Sequence, residues 1–299
     1  MRHLFIINKH SGKGGAYENI VDQLERLNDK DIIIKYTEYQ SHAAEIARSY
    51  VKESEDFFRI YACGGDGTVN EVINGVYDLD NCAVASVPIG SGNDFLRSFD
   101  IDKENFLDVE KLMNGKIISV DLLKCESGVS CNSITVGYDC AVAKNADKFK
   151  KRRHISAPLA YRMSIFYCLI KERKYGFSII ADGEELKRKS TYLLSVCAKG
   201  KYYGGGIKCA PKADNSDGWI DFMAIDTVGV LKFVSLLPTF VKGGHIDNPK
   251  FDFVFHKKVK RVSYISEKPF EIGIDGEIFT VNKAEIELLP NAQKIILPI

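Results

Sequence analysis

The chain has 299 residues, which is long for one ordinary domain and comfortable for two domains or for one large α/β unit. Hydrophobic residues make up 45% and charged residues 27%, close to the average for globular proteins, so the composition excludes a disordered or fibrous chain. The 41 lysines and arginines nearly cancel the 40 aspartates and glutamates. We therefore expect no nucleic-acid partner, and attraction to an anionic membrane would need a local basic patch.

We expect no signal peptide and no membrane span. The first apolar run, 4–7, is too short for the core of a signal peptide, and no stretch approaches a membrane-spanning length, so we expect a cytoplasmic protein. The eight cysteines are scattered without a CxxC pair or a Cys/His cluster at zinc spacing, which favours buried, reduced thiols.

The first part of the chain alternates between short apolar runs and segments with helical periodicity. The apolar runs predict strands over 4–7, 32–36, 57–63 and 83–87. The periodicity predicts helices over 16–27 and 42–51 and a third with Val69, Val72, Ile73 and Val76 on one face. Strands alternating with helices indicate a mostly parallel sheet covered on both faces.

After about Val120 the pattern changes to short β-rich runs separated by turn residues, with helical interruptions only near 157–173 and 228–241. This pattern indicates a β-sandwich or barrel-like second unit. We therefore predict an α/β domain over 1–124 and a β-rich domain over 125–299, packed against each other with a cleft between them. A return of the last strand to the first domain is left open.

Three of the early strands are followed by glycine clusters: SGKGG (11–15), GGDGT (64–68) and GSGND (90–94). In a parallel sheet these strand ends lie along one edge, where ligands bind. Glycines let backbone N–H groups approach a phosphate, and a following helix N-terminus adds partial positive charge. The three loops together predict a phosphate-binding site, although neither a Walker A nor a Rossmann pattern is present.

The GGDGT loop has two interpretations. Thr68 and Glu71 match a capping box, which would explain Thr68 as a helix N-cap without any ligand. Asp66 would repel a bare phosphate, and it fits better beside a cation or a ribose hydroxyl next to the phosphates. The loop therefore indicates a metal–nucleotide complex.

At this point the motifs resemble a known family. Residues 64–71, GGDGTVNE, and 88–95, PIGSGNDF, are similar to the signature loops of the diacylglycerol kinase catalytic domain family, which includes bacterial lipid kinases and sphingosine kinases. The later motifs APKA (210–213), DG (217–218) and DGE (275–277) follow in the family's order. Lys9 stands where the family usually has proline, which puts in doubt only the rigidity of that loop.

The resemblance implies an N-terminal α/β nucleotide-binding domain, with a parallel sheet like that of NAD kinase, followed by a C-terminal β-rich sandwich domain. ATP would lie in the cleft. The positions that the resemblance assigns to ATP and its phosphates are Asn8, Ser11, Gly12, Gly14, Thr37, Gly64, Gly65, Asp66, Gly67, Thr68, Asn70, Gly90 and Ser91.

The resemblance also assigns catalytic and metal positions. Glu277 falls at the proposed general base, and Asp66, Asp94 and Asp121 match the acidic positions associated with the catalytic Mg²⁺. A structural Mg²⁺ site would involve Asp217 with main-chain carbonyls of Asp214 and Trp219.

The implied activity is phosphorylation of a hydroxyl on diacylglycerol or a related lipid alcohol, in phospholipid biosynthesis. Two alternatives stay open: an NAD kinase, which shares the GGDGT loop, and a regulator that binds nucleotide or lipid without turnover. A basic run over 144–153 is either a solvated helix face or a contact with an anionic membrane surface. The neighbouring 157–175 is either core or an acyl-chain pocket, and a homodimer is not excluded.

Overall fold

The computed structural model describes residues 1–12, 15–150, 157–188 and 191–298. Gly14, predicted to lie close to the phosphates, falls outside these ranges. So does 151–153, the most basic part of the run considered for membrane contact.

The first part of the chain alternates between strands and helices, as its apolar periodicity predicts. In chain order these elements are β1 (Arg2–Ile7), α1 (Glu18–Leu27), β2 (Ile32–Tyr36), α2 (His42–Lys52), β3 (Phe58–Gly64), α3 (Asp66–Val76) and β4 (Cys82–Pro88). A 3-10 turn and two short helices then lead to the second part: Leu96–Phe99, α4 (Lys103–Leu107) and α5 (Val109–Met113).

Strands dominate the second part. They are β5 (Lys116–Cys125), β6 (Gly128–Ser130), β7 (Ser133–Gly137), β8 (Ser178–Ala181), β9 (Glu184–Glu185), β10 (Tyr192–Ala198), β11 (Ile220–Asp226), β12 (Val254–Val259), β13 (Arg261–Ile274) and β14 (Glu277–Leu297). The helices of this part are α6 (Tyr138–Lys150), α7 (Ala157–Lys171) and α8 (Val230–Val241), and a 3-10 turn, Pro249–Phe251, precedes β12.

The first four strands form a parallel sheet in the order β4-β3-β1-β2. Every residue of β4 is buried, as is the apolar run of β1 from Leu4 to Ile7. These strands are continuously apolar because helices cover both faces of a parallel sheet. Their core includes Ile20 from α1 and Ile73 from α3.

The long strand β14 connects this sheet to the rest of the chain. Residues 277–287 pair antiparallel with β13, and residues 287–297 pair antiparallel with β5. Near its end, Ile295 pairs in parallel with Val84 of β4. The described strands therefore form one hydrogen-bonded sheet. The proposed domain division at 124 and 125 falls at the end of β5, and it stays a prediction.

The second part buries both faces of its strands. Along β11, Phe222 and Ala224 belong to one apolar cluster, whereas Met223 and Ile225 belong to a second cluster together with residues of α6 and α7. All eight cysteines are free and buried, as predicted. Among the described residues, no helix has both the length and the apolar character needed to cross a membrane.

Two features differ from the sequence prediction. The sequence predicts helices in the second part only near 157–173 and 228–241, but α6 begins at Tyr138, directly after Gly137, which ends β7 with a φ of 102°. The sequence also predicts only short strands in this part, whereas β13 extends over 14 residues, with irregular pairing between Ile265 and Phe270. Pro269 lies in this irregularity, where its missing N–H is tolerated.

Candidate active site

A cleft of about 600 Å³ lies at the carboxyl ends of β1, β3 and β4, where the three glycine-rich loops meet. The Gly90 N–H donates to the Gly64 carbonyl oxygen at 3.0 Å, and a Cβ on Gly90 would lie 2.4 Å from the Gly65 Cα. Only glycine permits this approach. The predicted residues that line the cleft are Ser11, Gly12, Gly65, Asp66, Gly67, Gly90, Ser91 and Asp94.

Other predicted nucleotide contacts do not line this surface. The Asn8 side-chain amide donates to Thr68 Oγ1 at 3.3 Å and so links the first loop to α3. The Thr37 N–H donates to the carbonyl oxygen of Ile7 at 3.0 Å. The residues of this group, none of which lines the cleft, are Asn8, Thr37, Gly64, Thr68 and Asn70.

The predicted capping box is wrong. The N-cap of α3 is Gly65 rather than Thr68, and Thr68 lies inside the first turn with its hydroxyl accepting from Asn8. Glu71 instead accepts a hydrogen bond from the Ala43 N–H at 3.2 Å, close to the start of α2. The first turn of α3 therefore faces the cleft without a side-chain cap, and its N–H groups and dipole favour an anion there.

Two aspartates enter the cleft from different loops. Asp66 Oδ1 accepts a hydrogen bond from the Phe95 N–H at 3.2 Å, and Asp94 Oδ2 accepts one from the Gly205 N–H at 2.7 Å. Burial raises the pKa of Asp94, and the nearby Asp66 charge raises it further. A cation in the cleft would favour both ionised carboxylates, so the pair is suited to holding a divalent metal ion.

The DGE motif forms the turn between β13 and β14. Asp275 and Gly276 have φ values of 46° and 93°, as the predicted Asp-Gly hairpin requires. The Asp275 carboxylate is engaged inside the protein: it accepts from Ser130 Oγ at 2.6 Å and from the Ser133 N–H at 2.8 Å. Asp275 lines the cleft but serves to fix the turn.

Glu277, the predicted general base, is the first residue of β14 and lies at the rim. Its neighbours Gly276 and Ile278 line the cleft, but Glu277 itself does not. Its carboxylate accepts a hydrogen bond from the Gln40 side-chain amide at 3.2 Å on the exposed side.

The structure does not bring Asp121 together with Asp66 and Asp94, contrary to the sequence prediction. Asp121 is fully buried on β5, where it forms an ion pair with Lys199 at 2.9 Å. Its two oxygens also accept from the N–H groups of Gly218 and Asn291. A carboxylate engaged in this way cannot reach a metal ion in the cleft.

The predicted structural metal site differs as well. Asp217 Oδ1 and the Trp219 carbonyl oxygen both accept hydrogen bonds from the ammonium group of Lys199. The third predicted ligand is the main-chain carbonyl of Asp214, whose side-chain carboxylate accepts from the N–H and hydroxyl of Ser216. The Asp217 and Trp219 oxygens predicted as Mg²⁺ ligands therefore do not fit a metal ion while Lys199 is in place.

An apolar cavity of about 170 Å³ adjoins the cleft. Phe233, Leu236 and Phe240 of α8 form one wall, and Ile165 of α7 forms another. The cavity and the cleft share three lining residues, Asp139, Tyr161 and Tyr203. The sequence indicates the α7 segment as a candidate pocket but does not single out Asp139 or Tyr203. The glycine cluster at 204–206, which directly follows Tyr203, is the signal that could have revealed the loop at Tyr203.

Comparison with known proteins agrees with this geometry. The model of the diacylglycerol kinase catalytic domain matches residues 2–125, and the model of the YegS C-terminal NAD kinase beta sandwich-like domain matches residues 132–297. A diacylglycerol kinase from Bacillus subtilis is 26% identical over 81% of this chain and 78% of its own length. A diacylglycerol kinase from Mycobacterium tuberculosis is 25% identical over 98% of this chain and 94% of its own length.

The fold is also similar to that of a solved structure. The crystal structure of a diacylglycerol kinase from Bacillus anthracis superimposes with a TM-score of 0.72 at 22% identity, covering 99% of this chain and 96% of that chain. Both family models together account for nearly the whole sequence. The chain therefore belongs to the diacylglycerol kinase catalytic domain family and is an enzyme of the lipid kinase class.

Proposed function

We propose that the chain transfers the γ-phosphate of ATP to the hydroxyl group of diacylglycerol or a related lipid alcohol. The observation that carries this proposal is the wall shared by the polar cleft and the apolar cavity, formed by Asp139, Tyr161 and Tyr203. A phosphate-rich donor and an acceptor with an apolar tail can thus lie side by side in one site.

The apolar cavity also argues against the nearest alternative. NAD, the acceptor of an NAD kinase, has no hydrocarbon tail, so a cavity walled by aromatic and aliphatic side chains favours a lipid. A regulator without turnover would lack an acidic group where the metal–nucleotide complex binds. Asp66 and Asp94 both lie in the cleft and argue for an active enzyme.

In this proposal the glycine-rich loops bind the phosphates of ATP through backbone N–H groups and through the N-terminus of α3. Ser11, Gly12, Gly65, Gly67, Gly90 and Ser91 line the proposed phosphate site. Gly14 belongs to the same loop as Ser11 and Gly12 in the sequence.

Asp66 and Asp94 are the residues that would hold the catalytic Mg²⁺. Mg²⁺ is usually held by one or two carboxylates together with substrate phosphates, which matches a pair of aspartates facing a phosphate site. Mg²⁺ would neutralise charge on the transferred phosphoryl group. The engaged Asp121 has no part in this arrangement.

We retain Glu277 as the proposed general base. Asp275 is excluded because hydrogen bonds already engage both of its oxygens. Glu277 would have to exchange its hydrogen bond with Gln40 for one with the acceptor hydroxyl, and its position at the exposed rim permits that rotation. It would then orient the hydroxyl and accept its proton as the new bond to phosphorus forms.

Asp139 marks the junction of cleft and cavity. Burial raises its pKa to about 6, and the neighbouring Tyr203 hydroxyl acts in the opposite direction. Among the described residues, its Oδ2 has no hydrogen-bond partner. We propose that this oxygen accepts a hydrogen bond from the polar end of the lipid.

The helices that wall the cavity also carry apolar side chains on the outside. Phe166 and Ile170 of α7 are 66% and 69% exposed, and Leu231 of α8 is 87% exposed. We call these three residues the apolar face. Because α7 and α8 also line the cavity, we propose that the apolar face contacts the membrane surface from which the lipid enters.

Asp66→Asn should lower kcat about 100-fold or more, because it removes a charge that organises the metal ion at the reacting phosphate. The melting temperature should change by only about 2 °C, since Asp66 is partly exposed. Steady-state kinetics and thermal unfolding measure both. The control is Asp102→Asn, an exposed aspartate outside the cleft, and an Asp66→Asn enzyme as active as this control would refute the assignment.

Glu277→Gln should lower kcat about 100-fold while leaving the KM for ATP within about twofold, because the side chain would act on the acceptor. The matched control is Glu267→Gln, an exposed glutamate on β13. An unchanged kcat would remove Glu277 from the mechanism.

Asp139→Asn should change the pH dependence of stability. The pKa of Asp139 is raised to about 6 in the folded chain, so wild-type stability falls as the pH rises from about 4 through about 6. The Asn variant lacks this loss, so its stability relative to wild type should be greater at neutral pH than at acidic pH. The difference has an upper bound of about 3 kcal/mol.

Thermal or urea unfolding of both chains across this pH range measures the effect. Equal pH profiles would show that Asp139 ionises normally.

The double variant Phe166→Ser/Ile170→Ser should lose about tenfold or more in affinity for lipid vesicles, since burying one large apolar side chain stabilises by about 1.5 kcal/mol or more. Turnover of a dispersed short-chain diacylglycerol should be unchanged. Ile265→Ser, at an exposed apolar position on β13, is the control. Vesicle binding equal to that of the control would rule out the apolar face as the membrane contact.

A further inference from the structure

Lys199, the residue directly after β10, carries an ammonium group with no exposure to solvent. It lies 2.9 Å from Asp121 Oδ2, 3.0 Å from Asp217 Oδ1 and 2.7 Å from the Trp219 carbonyl oxygen. An ammonium group has three N–H donors, and each has an oxygen partner here. All three N–H donors of the lysine are therefore paired with oxygens, in a buried position where an unpaired charge would be strongly unfavourable.

The oxygens around Lys199 are of the kind that a divalent cation uses, namely two carboxylates and a main-chain carbonyl. The distances are those of N–H···O hydrogen bonds, and they are longer than the roughly 2.0–2.1 Å of Mg²⁺–oxygen bonds. Among the residues that the structure describes, no cluster of three or more His, Cys, Asp or Glu side chains is arranged to hold a metal ion.

Further lysines complete the charge balance around these oxygens. Lys258 pairs with the second oxygen of Asp217 and lies 3.8 Å from Asp221 Oδ2. Lys260 donates to the Gly218 carbonyl oxygen and lies over the Trp219 ring. A doubly charged cation could enter only by displacing an ammonium group and would then meet the repulsion of those that stay.

We propose that the ammonium group of Lys199 takes the place of a structural divalent cation, so that the fold of this chain is independent of metal at this position. Mg²⁺ is then needed only in the cleft, with the nucleotide. The inference is independent of the identity of the acceptor, because it concerns the stability of the chain without substrates.

The position of Lys199 explains why a cation is needed there. Asp121 belongs to β5 and accepts from Asn291 of β14, whereas Asp217 precedes β11. The ammonium group therefore ties three separated segments together. Two residues later the chain enters the loop whose Gly205 N–H binds Asp94 in the cleft.

The test compares thermal unfolding in EDTA and in millimolar Mg²⁺, without nucleotide. Asp66→Asn is the background, because this substitution removes the Mg²⁺ response expected of the cleft. We expect the melting temperature of this chain to be the same in both conditions, and metal analysis of the purified chain to find no tightly bound Mg²⁺. A Mg²⁺-dependent rise that Asp217→Asn abolishes would overturn the proposal.

Adding Lys199→Ala to this background should lower the melting temperature in EDTA by roughly 10 °C, because it leaves buried carboxylates without a cation. Millimolar Mg²⁺ should restore part of the loss, by about 3 °C or more, since the site then has room for a metal ion. The control Lys258→Ala, at an exposed partner of Asp217, should shift the melting temperature by about 1 °C or less.

A Lys199→Ala chain that folds but does not respond to Mg²⁺ would overturn the equivalence of ammonium group and metal ion. If this chain does not fold, the EDTA comparison on the Asp66→Asn chain alone decides the proposal.

Discussion

The backbone ladder of β14 is the interaction on which the arrangement of this enzyme depends. One strand pairs with β13 in the second part of the chain, with β5 at the junction and with β4 in the parallel sheet. Because β14 begins at Glu277 of the DGE motif, the ladder fixes that turn beside the glycine-rich loops that follow β1, β3 and β4. The buried Lys199 cluster strengthens the same junction, since Asp121 accepts from the backbone of Asn291 on β14. The cleft is thus built by contacts between residues far apart in the sequence.

Phosphoryl transfer to a lipid makes two opposite demands on one site, and the structure separates them in space. The phosphates need backbone N–H groups and a cation, which the glycine-rich loops and the pair Asp66 and Asp94 can supply. The lipid needs an apolar enclosure, which the cavity beneath α7 and α8 offers. Asp139 lies where the two environments meet, and its raised pKa reflects the low polarity of that position. The proposed mechanism uses this boundary to align the lipid hydroxyl with the terminal phosphate.

Sequence patterns predicted the parallel sheet and the convergence of its loops because both depend on local periodicity and on glycines at strand ends. They failed where contacts between residues far apart in the sequence determine the partner of a side chain. The family resemblance groups Asp121 with the catalytic acids, yet β5 directs it to Lys199, and nothing near Asp121 in the chain reveals that partner. Thr68 and Glu71 have the spacing of a capping box, but close packing of the loops starts α3 earlier and leaves Glu71 to bind the backbone near the start of α2. Asp139 was missed because α6 follows a strand-like run that ends only at Gly137.

The central claim is that this site phosphorylates a lipid alcohol, and acceptor specificity tests it most directly. The measurement is transfer of labelled phosphate from ATP to a panel of diacylglycerols, acylglycerols, sphingoid bases and polyprenols in mixed micelles, with NAD present in the same reactions. We predict Mg²⁺-dependent labelling of a lipid and none of NAD. Labelling of NAD with no lipid product would contradict the account.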